Sequence, residues 1–180
     1  MSSPELSIDQ LWELRNGVLQ NAKRLVEDAE YLMSKGRWPG AYEAAYFARE
    51  ETAKSAVVFA AAYVVAQDPT NLNWPKFWKA WKDHQMKSAG FVMMSALYAR
   101  VFEGSAAAED AEAEATQAGA LRRQREAALY VSWDDGLQTP LASITEGQAR
   151  EMVAEASKMV EAELASTDAH RAQIEAATSE

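Results

Sequence analysis

Eleven consecutive apolar residues, Ala56 to Ala66 (AVVFAAAYVVA), lie in a segment whose flanks repeat at helical spacing. A chain that carries such a run must surround one helix on every side. A bilayer span needs about 20 apolar residues, so the run predicts the central helix of a packed bundle and not a membrane anchor.

The rest of the chain has the same periodicity. Leu11, Leu14, Val18, Ala22, Leu25, Ala29 and Leu32 recur every three or four residues, behind a capping box at Ser7 and Gln10. Gly36 stands where a helix-ending glycine belongs. Arg37-Trp38-Pro39-Gly40 reads as a turn into a second long helix over 41–67, and Asp68-Pro69-Thr70-Asn71 breaks it. Asn73-Trp74-Pro75 opens a third helix, expected to run to about Glu103. Residues 105–120 are an Ala/Glu-rich tract with few bulky anchors, suited to a solvated helix or a mobile loop. A fourth helix includes 121–129. Residues 130–133 suit a short extended piece, and Pro140 is expected to keep that segment out of helix. Thr145 with Gln148 opens a fifth helix over 146–166 or beyond. No longer run alternates at period two. The expectation is one all-α domain over 1–180, an antiparallel bundle of about five helices.

Composition removes several chemistries. There is no cysteine, hence no disulfide frame, Cys-ligated metal or thiol nucleophile. Two histidines, His84 and His170, leave little for a metal site, and His170 is assigned no role near an end expected to fray. Phosphate-cradling glycine loops and Glu-x-x-His are absent. Neither a metal nor a cofactor is expected. The opening MSSPELSIDQ has no basic–apolar leader, which favours a cytoplasmic protein without a membrane partner.

The net charge of −9 argues against indiscriminate binding to nucleic acid, but the charge is uneven. Residues 71–100 carry Lys76, Lys79, Lys82, Lys87 and Arg100 against Asp83 alone, while 126–180 hold eleven acids and three cations. Two constellations follow. On the second helix, Glu43, Phe47, Glu50 and Lys54 form a stripe, with Glu51 beside it, and Glu50 and Lys54 are spaced for an ion pair. On the third, Lys76, Lys79, Asp83 and Lys87 share one face; Trp74, Trp78 and Trp81 share another with His84 or Gln85. The plain interpretation is a salt-bridged surface and an aromatic core or dimer contact. The functional one is a phosphate-directed site: lysines hold a phosphodiester, and an imidazole moves a proton near neutral pH. Interleaved aromatics also suit single-stranded RNA.

Four stretches in order then resemble the AbiV branch of the HEPN superfamily, bacterial abortive-infection proteins. They are Asn21–Glu30 through Lys35-Gly36-Arg37; Ala45–Lys54 with Glu-Glu-x-x-Lys; Lys82-Asp83-His84-Gln85-Met86-Lys87; and Tyr130–Pro140 followed by Ile144-Thr145-Glu146. The resemblance implies a HEPN helical bundle, usually a homodimer, and in many relatives a metal-independent ribonuclease whose motif is Arg, four to six residues, then His. This chain has Lys79, four residues, then His84, and lysine lacks the bidentate fork of arginine.

The leading expectation is an anti-phage effector acting on RNA or on translation. In it His84 is general acid/base, Lys79 or Lys82 holds phosphate and Asp83 orients a neighbour. Lys76, Lys87 and Lys54 add phosphate contacts, and Glu50 and Glu51 form the supporting wall. The alternative is a non-catalytic HEPN module that inhibits translation or binds a phage or host protein. A dimeric helical scaffold with solvated charges is the third.

Overall fold

The computed structural model describes residues 4–82, 123–133 and 136–178, with Ala80 and Lys82 by backbone alone. These residues are all-α apart from one small hairpin. Helix α1 (Ile8–Ser34) starts at the capping box: Ser7 Oγ accepts from Gln10 N, and Gln10 Oε1 accepts from Ser7 N. It ends where Gly36 takes φ +68°, a left-handed conformation that costs other residues a clash at Cβ.

Helix α2 (Trp38–Gln67) begins three residues before the expected 41, because Pro39 sits in its first turn. There the missing N–H is an orphan anyway and the fixed φ is helical, so the expected turn at 37–40 becomes largely helix. Asp68 then caps a short 3₁₀ turn, Pro69–Asn71, by accepting from Thr70 N. Helix α3 (Trp74–Lys82) and a helix over 123–129, α4, follow. The expected course of the third helix to Glu103, and the Ala/Glu tract at 105–120, lie outside the described residues.

Ser132–Trp133 (β1) and Leu137–Gln138 (β2) form an antiparallel hairpin, with Trp133 opposite Leu137. Pro140 does not keep its segment out of helix. It opens a four-residue helix, α5 (Pro140–Ser143), capped by Thr139. Helix α6 (Glu146–Ala165) has its Thr145–Gln148 capping box. Ser166 breaks the line, and helix α7 (Thr167–Ala177) follows. The expected frayed end is thus an ordered helix. The described residues accordingly contain more helices than the five expected.

Helices α1 and α2 pack along each other as a hairpin, α6 lies against both, and α7 closes on α2. Alanines with no exposed area line the seams, among them Ala22, Ala29, Ala45, Ala149 and Ala156, so the backbones approach closely. Two apolar clusters result. One gathers Val26, Tyr42, Ala128, Ile144, Met152 and Val160. The other gathers Leu11, Phe59, Val65, Trp74, Phe77 and Ile174 around the apolar run of α2.

A polar lock joins the second cluster to the C-terminal helices. Arg15 lies on the buried stripe of α1 with no exposed area. Its Nη1 donates to Thr167 Oγ1 at 3.0 Å; its Nη2 donates to Glu163 Oε1 at 2.9 Å and to Glu163 O at 3.3 Å. Ser55 Oγ of α2 donates to the same Oε1 at 2.9 Å. A buried cation is tolerated only with such partners.

Candidate nucleic-acid interface

The site is built on α3. Asn73 Oδ1 accepts from Lys76 N at 3.0 Å and fixes the first turn. Trp74 and Phe77 then bury their rings, and Phe77 meets Trp78 edge-on at 4.9 Å and Trp81 nearly parallel at 6.1 Å. Trp78 Nε1 donates to Pro4 O at 2.7 Å, which ties the preceding segment to this helix. Trp74 is therefore core, and Trp78 and Trp81, half-buried, pack against the same cluster.

Lys76 and Lys79 point the other way, exposed, and neither meets a carboxylate among the described residues. Asp83, His84 and Lys87 lie outside the described residues, as does the side chain of Lys82. The separation of cationic and aromatic faces holds for the residues that are described.

Helix α2 carries the other constellation. Its stripe is present, but the expected Glu50–Lys54 pair is not. Lys54 bonds Glu51 and sits 5.4 Å from the centre of the Trp81 ring, so a carboxylate and an indole face hold it together. Glu50 is buried and has Arg125 Nη1 of α4 at 4.0 Å. The Arg125 guanidinium also lies 5.5 Å and 5.9 Å from the rings of Tyr46 and Phe47. Burial raises Glu43 above the usual carboxylate range, and Arg125 opposes that shift.

Farther along α2, Tyr42 donates to Gln124 Oε1 at 2.8 Å. Burial pushes its phenol up to about 12, against the pull of Arg49, which pairs with Glu155 at 2.9 Å. These contacts dock α4 and α6 on α2. An open groove of about 490 Å³ between α1 and α6 is lined by Glu30 and Glu161 as well as Arg150 and Lys158. Its charges offset, so it has no preference for a phosphate backbone.

The sequence matches the family model described as AbiV, of the HEPN class, over residues 10–161. The chain belongs to the HEPN AbiV family. It is thereby a protein of abortive infection, the anti-phage defence carried by that family. No curated protein and no solved structure matches it. In this AbiV-family chain no described helix is long and apolar enough to cross a membrane.

Three residues escaped the sequence reading. Arg125 is 75 positions from Glu50 (125 − 50), with no local sign of the contact. Arg15 did carry a sign, since it falls on the stripe of Leu11, Val18 and Ala22. His170 carried one too, four residues before Ile174 on the buried side of α7.

Proposed function

We propose that this AbiV-family chain acts on RNA through the cationic face of α3 and the segment that follows it. The supporting observation is the pair Lys76 and Lys79. Both stand in water without a carboxylate among the described residues, on a helix whose other side is fixed by Trp74 and Phe77. A cation that pays no pairing cost inside the protein is available to a phosphodiester. His84 follows Lys79 by a little more than one helical turn of sequence and is the proton-transfer group of the proposal. Lys82 and Lys87 extend the phosphate contacts, Asp83 orients a neighbour, and Lys54 with Glu50 and Glu51 forms the wall. The enzymatic form is a metal-independent endoribonuclease in which the 2′-hydroxyl gives up its proton, attacks the adjacent phosphate and displaces the 5′-oxygen of the next nucleotide, which takes up a proton, leaving a 2′,3′-cyclic phosphate. A homodimer, with two such faces together, belongs to the same proposal.

Lysine in place of the family's arginine favours a second reading, a module that binds RNA or a protein partner without cleaving. One assay separates the two. Total bacterial RNA is incubated with wild type or His84→Ala in EDTA, and product ends are read for 2′,3′-cyclic phosphate. Cleavage is expected from wild type and at least about a hundredfold less from His84→Ala at unchanged helix content. Binding without cleavage by wild type assigns the second reading. Neither binding nor cleavage removes RNA from the account.

A further inference from the structure

His170 is the titratable member of the lock around Arg15. Its Nδ1 lies 3.1 Å from Arg15 Nη2. A guanidinium only donates, so this nitrogen accepts, and the ring is neutral with its proton on Nε2. Ser166 Oγ is 3.4 Å from the same nitrogen, and the ring stacks on Phe59 at 4.1 Å.

Protonation puts a hydrogen on Nδ1 that points at a cation. Among the described residues the charged partners of the ring are Arg15 from α1 and Glu163 from α6, while Phe59 of α2, which stacks on it, bears no charge. Glu163 Oε1 is 3.9 Å away and already accepts from Arg15 and Ser55, so it is poorly placed to receive the new proton. Burial holds His170 below its ordinary 6.5; Glu163 opposes this and Arg15 reinforces it. A lowered folded-state value means that attachment is fully stabilised above pH 6.5 and loses stability as pH falls below it.

The ring holds α7 together with Ile174, one turn on, which sits in the cluster containing Trp74 and Phe77 of α3. That cluster is also the platform beneath Lys76 and Lys79. Glu163, Thr167 and His170 all lie beyond the span 10–161 that matches the family model, whereas Arg15 and Ser55 lie within it.

We propose that α7 is a pH-gated strap: protonation of His170 releases residues 167–177 from α1 and α2 and loosens the apolar platform under α3. This inference stands apart from any action on RNA.

Hydrogen exchange of the whole chain, read by mass spectrometry at about pH 7.5 and about pH 5.5 and corrected for intrinsic rates, tests it. Exchange in 167–177 is expected to speed by about two- to tenfold per pH unit below 6.5, tenfold being the limit for one linked proton. Amides in the middle of α1 should change less. His170→Phe, which keeps a ring for Phe59, should abolish the pH dependence whatever its baseline. Equal protection at both pH values, the same dependence in His170→Phe, or uniform loss across α1, α2 and α7 each overturns the strap. Should the variant not fold, imidazole ¹⁵N shifts of wild type decide. A proton on Nε2 of His170 at about pH 7.5 is required, and a proton on Nδ1 refutes the geometry.

Discussion

Replacing Arg15 by methionine keeps the unbranched stem of the side chain on α1 and removes the guanidinium donors of the lock, leaving that of Ser55. Severing a buried charge pair costs about 3–5 kcal/mol, because the partner is left uncompensated. Here the low end applies. Glu163 keeps the Ser55 hydrogen bond, and its side chain retains 19% exposure, so water reaches the stranded carboxylate. Thr167 Oγ1 can still donate to Glu163 O at 3.3 Å, and His170 keeps Ser166. The expected loss is about 3 kcal/mol. With a urea m-value of about 2 kcal/mol/M, the unfolding midpoint should fall by about 1.5 M at unchanged slope. Arg24→Met is the control. Its partner Asp28 is one helical turn away and both are exposed, so it should move the midpoint by no more than about 0.3 M. A shift for Arg15→Met below about 0.5 M would refute the claim that the buried guanidinium joins α1 to the C-terminal helices.

Two further outcomes follow from local geometry. Gly36→Ala should cost about 1 kcal/mol through backbone strain alone, read as a drop in Tm: φ is +68°, while the nearest atom to an added Cβ is an ordinary 3.6 Å away on Trp38. Tyr42 should ionise late in an alkaline titration followed at tyrosinate wavelengths, and Tyr42→Phe should remove the step near 12. Since the folded value is raised, stability from Tyr42 is intact below about pH 10 and declines as pH rises towards 12; a step near 10 that vanishes in Tyr42→Phe would contradict this.

What the sequence made legible was local. The boxes at Ser7–Gln10 and Thr145–Gln148 and the cap at Asn73 each close within three residues, so spacing suffices to find them. Apolar periodicity likewise located α1 and the enclosed half of α2. Proline misled at two helix starts: at 39 and 140 it lies in a first turn, where it favours helix, as it does at 75, and the breaking rule belongs to helix interiors. Pairing was less legible. Glu50 has a lysine at ideal spacing, yet Glu51 and Trp81 hold that lysine, and Arg125 approaches Glu50 from another helix. Within the candidate site, the opposition of lysines and tryptophans on α3 could be read from a helical wheel. The partners of Arg15 and His170 could not, because they lie on elements far apart in the chain, although both residues fall on apolar stripes that mark them for burial.

That distance bears on synthesis. Arg15 and its carboxylate partner are 148 residues apart. At about 5–20 residues per second, a ribosome reaches Glu163 roughly 7–30 s after it has made Arg15. Once Gln67 has been made, α1 and α2 are both available to pair for the rest of that interval, yet the seam between them contains a cation whose carboxylate partner is still missing. The nascent hairpin must therefore keep that end open to water until Glu163 has been made. Final closure of this seam is timed by α6 and α7, not by the two helices that flank it first.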